Sequence, residues 1–444
     1  MSFISFLRKE EVRSYISHSW ELSWPMILIM SFEFLIGLTD VFVAGRVNKE
    51  IQAAYGFVIQ SYFIFIVVAN ALTVGAVSVV SRMFSSEDRK ALGSAVSSSV
   101  AASAAAGFVI GLSGLLCAPA VIRLVNIPPQ LTGYVIPMVQ IYAGGVVFHY
   151  MLINSNGIMR SCNMILRSLK TMALVCAVNI GLNFILVFKT PLGFRGIALS
   201  TAISVTVGGL INLHYLRPLM GSGWRFAAPT VLKMAAIGWP MGILQILWQL
   251  GSIALFLILS AIPQHNVEIL AALTAGLRIE SAIYLPAFAF NMANAVIVGN
   301  LIGERKHDEA YRSGLVTASI GVAIVSFLVL IVVSNAWWIV SFLSTNEIVM
   351  RESVRYIYIS MISEPFMAWG IILGGGMSGA GATRSVMIRV ALSIWLIRIP
   401  LCYLFVIVLG FGPGSVWWSM NASQFVQCFL LYRKYARRDW LAGA

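Results

Sequence analysis

Apolar runs long enough to cross a lipid bilayer dominate the chain and leave it few ways to fold. A membrane-spanning helix needs about 20 predominantly apolar residues. Short charged or turn-rich stretches separate the runs, for example the Ser-Ser-Glu-Asp-Arg-Lys sequence at 85–90. The pattern predicts an all-α integral membrane protein with twelve transmembrane helices, at 20–45, 51–82, 91–120, 131–158, 168–189, 194–216, 231–261, 268–302, 311–343, 352–379, 386–410 and 413–433.

Composition agrees with this prediction. Only 11% of the residues are charged, 59% are hydrophobic and the mean hydropathy is +0.87, whereas soluble domains carry about 25% charged residues. A net charge of +13 could indicate nucleic-acid binding, but the basic residues cluster in short loops, as orientation signals do. We therefore expect no nucleic-acid partner.

The distribution of positive charge predicts the orientation. Most of the 30 Lys and Arg residues fall on the side of the membrane where the N-terminus lies. The positive-inside rule then places both termini in the cytoplasm, as an even number of spans also requires. We expect a multi-pass protein of the inner (plasma) membrane.

The two halves of the sequence repeat. Trp24-Pro25-Met26 recurs as Trp239-Pro240-Met241, 215 residues later, and Gly157-Ile158-Met159 matches Gly375-Gly376-Met377 with an offset of 218. Six helices followed by six in the same orientation form a parallel repeat, with a pseudo-twofold axis along the membrane normal. The predicted domains are an N-terminal cytoplasmic segment (1–19), an N-lobe (20–216), a cytoplasmic linker (217–230), a C-lobe (231–433) and a cytoplasmic tail (434–444).

Two carboxylates interrupt the first apolar run. Glu33 and Asp40 are seven residues apart, which places them on nearly the same helix face. An ionised side chain near the bilayer centre costs at least about 2.5–3.5 kcal/mol and usually marks an ion path, a relay or a substrate site. Pro25 and Gly37 are positions at which this helix can bend.

Four motifs resemble those of the multidrug and toxic compound extrusion (MATE) family. They are WPMIL…GLTDVFVAGRV with IQAAYG, LRIESAIYLPAFAFNMANAVIVGNLIGE, ISEPFMAWGIILGGGMSGAGATR and LIRIPLCYLFVIVLGFGPGSVW. The second is most similar to the bacterial and archaeal DinF-like branch. The resemblance covers nearly the whole chain. It implies two six-helix lobes and secondary efflux of amphipathic, often cationic compounds in exchange for H⁺ or Na⁺.

The resemblance also implies site residues. Asp40 matches the helix-1 acid used for cation coupling, and Asn179 and Thr201 match its polar partners. Asn183 stands where relatives often have Asp. In helix 7, where sodium-coupled relatives carry Glu, this chain has only Gln245 and Gln249 as comparable polar groups.

The supply of acids favours a proton as the coupling ion. No Asp or Glu occurs between Asp88 and Glu268, so helices 3–6 add no carboxylate to the N-lobe. Na⁺ gains from several oxygen ligands and more than one carboxylate, whereas a lone buried Asp is better suited to taking up H⁺. Na⁺ coupling stays open, as does a structural role for Asp40 as an outer-end acid paired with Arg46.

Four further charged residues lie within predicted helices. Glu33 has either a functional role or a structural one. Glu280 is either half of an interhelical ion pair or a relay acid of the C-lobe, and Glu364, before Pro365, is either an anchor at a helix break or a cavity acid. Arg398 is expected to neutralise Glu280 or Glu364.

The predicted function is that of an antiporter which exports amphipathic, often cationic small molecules by alternating access between two lobes, with protonation of Asp40. It is not an enzyme, needs no cofactor or metal beyond the coupling ion, and is expected to act as a monomer in contact with membrane lipids. A sodium-coupled exporter and a lipid-linked oligosaccharide flippase of the same superfamily are alternatives, and a non-transporting membrane receptor or scaffold is an alternative from another class.

Overall fold

The computed structural model describes residues 9–86, 88–124, 128–221 and 225–441. Within these ranges the chain is helical and has no β-strand. The ends of the predicted segment 1–19 and tail 434–444, and the middle of the linker 217–230, lie outside the described residues. The helices are α1 (Lys9–Val47), α2 (Lys49–Ser85), α3 (Arg89–Leu124), α4 (Pro129–Ser161), α5 (Ile165–Phe188), α6 (Arg195–Met220), α7 (Ala228–Ser260), α8 (Asn266–Gly303), α9 (His307–Ser334), α10 (Ala336–Ser341), α11 (Glu347–Ser360), α12 (Glu364–Gly379), α13 (Thr383–Leu392), α14 (Ile399–Tyr403) and α15 (Gly414–Ala436), with π-helical segments at Ser393–Arg398 and Leu404–Val408.

Ten helical segments of the described chain are long and apolar enough to cross a membrane. The predicted span 352–379 is two helices, α11 and α12, bent by 56° relative to each other; together they give an eleventh span. The predicted twelfth span, 413–433, corresponds to α15, which has 23 residues and a more polar composition than the others.

The polar side chains of α15 serve the break between α11 and α12. Pro365 lies in the first turn of α12 and has no N–H to donate. Asn421 donates from its amide to the carbonyl oxygen of Ile359 across 2.6 Å, and the Ser363 hydroxyl lies 2.7 Å from the amide oxygen of Asn421. Asn421 and Ser363 thus join α15 to the last turn of α11 and to the residue before α12, on both sides of the break.

The chain is divided into two compact units by the contacts between its residues. One comprises Met1–Trp24 and Ile243–Ala444, and the other comprises Pro25–Gly242. Their boundaries lie inside α1, immediately before Pro25, and inside α7, shortly after Pro240. This division follows contacts between residues, whereas the predicted lobes follow the order of the helices and stay a prediction.

Glycines allow helices of the 25–242 unit to pack closely. A Cβ atom on Gly75 would lie 1.9 Å from the carbonyl oxygen of Met234, so α2 and the first part of α7 meet backbone to backbone. A Cβ on Gly157 would lie 2.6 Å from Cγ2 of Thr73, so the backbone of α4 packs against a side chain of α2. Any larger residue at these positions would push the helices apart.

The connection between α1 and α2 is a single residue, Asn48. Its side-chain oxygen accepts a hydrogen bond of 2.7 Å from the backbone N–H of Ile51 and caps α2. So short a connection turns the chain back on itself, and the last two turns of α1 therefore lie beside the first turns of α2. This turn is what places Asp40, near the end of α1, beside Tyr55 of α2.

Candidate functional site

Asp40 is the centre of a buried polar cluster in the 25–242 unit. Its side chain is 2% exposed. Oδ1 accepts a hydrogen bond of 2.6 Å from the amide of Asn183, and Oδ2 accepts bonds of 2.9 Å from the Tyr55 hydroxyl and 3.2 Å from the Thr201 hydroxyl. The carboxylate thus has donors from α2, α5 and α6.

Further hydrogen bonds among the partners of Asp40 fix the orientation of these donors. Asn179 donates from its amide to the Thr201 hydroxyl across 3.0 Å, and it accepts a bond of 3.1 Å from the amide of Asn183. Asn179 and Asn183 are four residues apart on α5 and therefore share a helix face. The four residues that the resemblance implied, Asp40, Asn179, Asn183 and Thr201, are brought together in one network.

Tyr55 was not among the predicted site residues. It lies 15 residues after Asp40, in the IQAAYG motif at the start of α2. Tyr142 of α4 places its own hydroxyl within reach of Tyr55 and Thr201. Its place beside Asp40 depends on the one-residue turn at Asn48, which the predicted spans 20–45 and 51–82 do not contain.

Every direct partner of Asp40 is electrically neutral. None of the salt bridges among the described residues includes Asp40. Arg46 stacks on the ring of Phe42 instead, with its guanidinium carbon 5.0 Å from the ring centroid. The described residues also contain no group of three or more His, Cys, Asp or Glu side chains that could hold a metal ion.

Glu33, two turns before Asp40, has a different environment. Its side chain is exposed, and the cation that acts on it electrostatically is Arg160, in the last turn of α4. Nη1 of Arg160 lies 3.9 Å from the sulfur of Met26. Arg160 lies two residues beyond the predicted span 131–158, whereas the structure places it in α4 with its side chain directed towards α1.

The other acids lie in the second unit. Glu280 accepts hydrogen bonds of 2.6 Å from the Tyr356 hydroxyl and 3.0 Å from the Tyr284 hydroxyl. Tyr284 also lies 3.4 Å from Oε1 of Glu364, which is fully buried. Arg398 attracts both acids electrostatically.

The expected neutralisation of these acids by Arg398 is not a direct ion pair. No salt bridge among the described residues joins Arg398 to Glu280 or Glu364. Nε of Arg398 donates to the Ser423 hydroxyl across 2.8 Å. Arg398 ends a π-helical segment, and a π-helical turn redirects side chains relative to a regular α-helix.

The remaining predicted residues lie on α1 and α7. Pro25 is inside the continuous helix α1, and a Cβ atom placed on Gly37 would meet no atom within 4 Å. Gln245 and Gln249 are half-buried on α7 and belong to the same unit as Glu280. Both make side-chain interactions.

Comparison with known proteins identifies the family. The MatE family profile matches the chain twice, at residues 25–185 and 240–404. The two matches begin 215 residues apart, which is the offset between the two Trp-Pro-Met sequences. The predicted internal repeat thus has an independent counterpart in the way the family profile aligns.

Known relatives cover almost the whole chain. The uncharacterized transporter YisQ of Bacillus subtilis is 21% identical over 434 residues, which is 95% of this chain and 94% of YisQ. The probable multidrug resistance protein NorM of Thermotoga maritima is 22% identical over 441 residues, covering 95% of this chain and 92% of NorM.

Solved structures show the same fold. An outward-facing multidrug resistance MATE transporter of the MOP superfamily superposes with a TM-score of 0.89 at 18% identity and covers 95% of this chain and 96% of its own. A MOP superfamily transporter from Pyrococcus furiosus superposes with a TM-score of 0.88 at 19% identity and covers 96% of both chains. The predicted all-helical MATE-like fold is confirmed, and the chain belongs to the MatE family of multi-pass membrane transporters.

Proposed function

We propose that this chain is a secondary antiporter that exports amphipathic, often cationic small molecules from the cytoplasm in exchange for H⁺, and that Asp40 carries the coupling proton. Multidrug resistance is the role named for several relatives. The observation that carries the proton-coupling proposal is the position of Asp40, a buried membrane carboxylate held by three neutral hydrogen-bond donors. Such a group exchanges a proton without having to break an ion pair.

The donors around Asp40 favour H⁺ over Na⁺. A bound Na⁺ needs several oxygen atoms directed at it, but Asn183 presents its amide N–H₂ to the carboxylate, and Tyr55 and Thr201 present O–H groups. Asp40 is the only carboxylate in this cluster of described residues. A proton, by contrast, binds to one carboxylate oxygen, and the resulting O–H group needs a neighbour that accepts its hydrogen bond.

The cluster contains groups that can accept a hydrogen bond from protonated Asp40. The Thr201 hydroxyl lies 3.4 Å from the carbonyl oxygen of Ile197, so it can donate there and accept a hydrogen bond from protonated Asp40. The amide oxygen of Asn183 is buried and has no hydrogen-bond partner among the described residues. A flip of this amide would direct that oxygen at the new Asp40 O–H. Protonation therefore rearranges the bonds that join α1 to α5 and α6.

In the proposed cycle, this rearrangement of hydrogen bonds causes helix α1 to move. The boundary between the two compact units falls immediately before Pro25, and a Cβ atom placed on Gly37 would meet no atom within 4 Å. In the proposed cycle, proton uptake at Asp40 loosens the contacts of α1, which bends at Pro25 or Gly37 and releases the substrate on the outer side. Deprotonation on the cytoplasmic side restores the starting state.

The proposal includes orientation and setting. Both termini lie in the cytoplasm, the protein sits in the inner (plasma) membrane, and it acts as a monomer surrounded by lipid. Support comes from the clustering of positive charge in the loops on the side of the N-terminus. Cysteine labelling of Ser86 and Asn346, single positions in turns on opposite predicted sides, tests the orientation: only Asn346→Cys should react with a membrane-impermeant reagent in intact cells.

Transport in proteoliposomes tests the coupling ion. A fluorescent amphipathic cation such as ethidium is loaded, and a pH gradient and a sodium gradient are imposed separately. The proposal predicts efflux under the pH gradient alone and no stimulation by the sodium gradient. Efflux under the sodium gradient alone would establish the sodium-coupled alternative. Movement of lipid-linked oligosaccharide without ethidium efflux would favour the flippase, and no substrate-dependent flux of any kind would favour the scaffold.

A further inference from the structure

A second titratable group lies next to the Asp40 cluster. The hydroxyl of Tyr62 on α2 is hydrogen-bonded to Nδ1 of His149 on α4, and the two rings stack with centroids 5.6 Å apart. Both side chains are half-buried. Imidazole is the ordinary side chain whose unperturbed charge change lies closest to neutral pH. Among the described residues, His149 is therefore the one group beside the Asp40 cluster with a nitrogen that can take up a proton from the Tyr62 hydroxyl.

The Tyr62–His149 pair repeats the geometry of the Asp40 cluster two helical turns further along. Tyr55 and Tyr62 are seven residues apart on α2, and Tyr142 and His149 are seven residues apart on α4. Tyr55 and Tyr142 therefore belong to the Asp40 cluster, and Tyr62 and His149 lie on the same helix faces about 10 Å further along. The Tyr62–His149 pair contacts the Asp40 cluster, because the rings of Tyr62 and Tyr142 have centroids 4.7 Å apart.

The electrostatic surroundings of the pair are almost free of charge. Tyr62 interacts electrostatically with Tyr142 and Tyr150 of α4 and with Asp40 of α1. No charged side chain among the described residues of α2, α3, α5 or α6 acts on His149 itself. Asp40 acts on Tyr62, whose hydroxyl is hydrogen-bonded to His149, so the connection between Asp40 and this imidazole runs through Tyr62.

We propose that His149 is a second proton-holding group of the Asp40 site and exchanges the coupling proton with Asp40 through the hydroxyls of Tyr55, Tyr142 and Tyr62. This proposal rests on the proposed function, in which Asp40 is the coupling acid. The two states are neutral Asp40 with neutral imidazole, and ionised Asp40 with imidazolium. Both have zero net charge, so the exchange moves no net charge into or out of the site.

The transfer conserves atoms and charge. The O–H bond of the Asp40 carboxyl group breaks, and its proton passes to a neighbouring hydroxyl oxygen. Each hydroxyl in the series gives its own proton onwards as it receives one, a water molecule bridges any gap wider than a hydrogen bond, and an N–H bond forms on His149. The carboxylate and the imidazolium then attract each other. At about 10 Å and an effective dielectric constant of about 20, this attraction changes a protonation equilibrium by about tenfold, or about one pH unit.

Infrared difference spectroscopy of the full chain in lipid tests the proposal. The carbonyl stretch of protonated Asp40 is identified as the band that titrates in the wild type and is missing in Asp40→Asn. In His149→Gln, which keeps a hydrogen-bonding amide beside Tyr62 but cannot be charged, ionised Asp40 loses its countercharge. We expect the midpoint of the Asp40 band to rise by about one pH unit. His214→Gln, which removes another histidine adjacent to a tyrosine in the same unit, should leave the midpoint unchanged.

A kinetic arm tests the connection. Tyr62→Phe keeps His149 and removes the hydroxyl, so pH-driven ethidium efflux should slow at least fivefold while the midpoint of the Asp40 band moves by less than in His149→Gln. An unchanged midpoint in His149→Gln, or in His149→Asn if the glutamine variant does not fold, would overturn the proposal. Wild-type efflux in Tyr62→Phe would overturn the relay. If no band titrates with Asp40 at all, the proposed function itself fails, and that result is distinguishable from a band that titrates independently of His149.

Discussion

The side-chain amide of Asn183 donates a hydrogen bond of 2.6 Å to the carboxylate of Asp40. An aspartate at position 183 would put two carboxylates within hydrogen-bond distance, and both can be ionised only if a cation lies between them. The neutral amide removes that requirement. The identity of residue 183 is therefore the feature of the cluster that most directly separates proton coupling from sodium coupling.

Asn183→Asp should change the ion dependence of transport. With two adjacent carboxylates, the site either keeps a proton between them or binds Na⁺, so we expect sodium to stimulate efflux in this variant but not in the wild type. Ethidium efflux is measured at fixed pH with and without a sodium gradient. Asn183→Gln, which adds volume but no charge, is the matched control, and a sodium response in that control as well would contradict the explanation.

Tyr55→Phe removes one of the donors to ionised Asp40. A hydrogen bond to a charged group contributes about 1.5–3 kcal/mol, equivalent to about 1–2 pH units. Because the lost bond favoured the ionised form, Asp40 keeps its proton to higher pH, and the midpoint of pH-dependent efflux should shift upwards by that amount. Thr201→Val, which removes the longer bond of 3.2 Å, should shift the midpoint less. A downward shift in either variant would show that these hydroxyls favour the protonated acid.

Gly37→Ala should slow transport without destabilising the protein. Alanine favours a regular helix by about 1 kcal/mol relative to glycine, and the new Cβ meets no atom within 4 Å. Any loss of efflux would then come from a stiffer α1. Gly144→Ala on α4, where the Cβ is equally free, is the control and should transport normally. Equal rates in wild type and Gly37→Ala would remove Gly37 as a hinge and leave Pro25.

Gly75→Ala should impair folding instead. Its Cβ would lie 1.9 Å from the carbonyl oxygen of Met234, which no side-chain rearrangement can relieve. We expect a lower yield of monodisperse protein and a lower thermal unfolding temperature in detergent. A fully stable Gly75→Ala protein would mean that α2 and α7 are not in close contact.

Substitution of Glu280 separates a structural role from a coupling role. Glu280→Leu leaves the buried hydroxyl of Tyr356 without this acceptor and should cost about 1–3 kcal/mol, whereas Tyr284 still has Oε1 of Glu364 at 3.4 Å. Glu280→Gln keeps an acceptor oxygen and should remain close to the wild type in thermal stability. Because Asp40 is proposed as the coupling acid, Glu280→Gln should also keep pH-driven efflux. Loss of efflux in this stable variant would assign a proton to the Glu280–Glu364 pair.

The fold could be predicted largely from the sequence because a helix needs about 20 mostly apolar residues to cross the lipid bilayer. The repeat was visible because short sequences such as Trp-Pro-Met recur at a nearly constant offset, and one contact between helices recurs with it. Gly157 packs on Thr73, and Gly375 packs on Asn291; the members of each pair match those of the other pair at an offset of 218 residues. The polar composition of α15 is understandable only from the structure, since Asn421 donates a hydrogen bond to the carbonyl oxygen of Ile359 in the last turn of α11.

The candidate site was predicted only in part, because contacts between distant helices leave little trace in a single sequence. Asp40 could be found from the cost of a charge in an apolar run, and its partners on α5 and α6 from resemblance to a family. Tyr55 and the attraction between Glu33 and Arg160 could not be found that way, since an ordinary tyrosine or a helix-end arginine is common in membrane proteins. Where these side chains point depends on helix packing.

The most direct test of the central claim compares two kinds of transport by Asp40→Asn in proteoliposomes. Substrate exchange at equal pH on both sides needs only substrate binding and movement of the protein, whereas efflux against a substrate gradient needs the coupling proton. We predict that Asp40→Asn keeps exchange and loses pH-driven uphill efflux, while Glu347→Gln, which removes an exposed acid, keeps both. Uphill efflux driven by the pH gradient in Asp40→Asn would contradict the account.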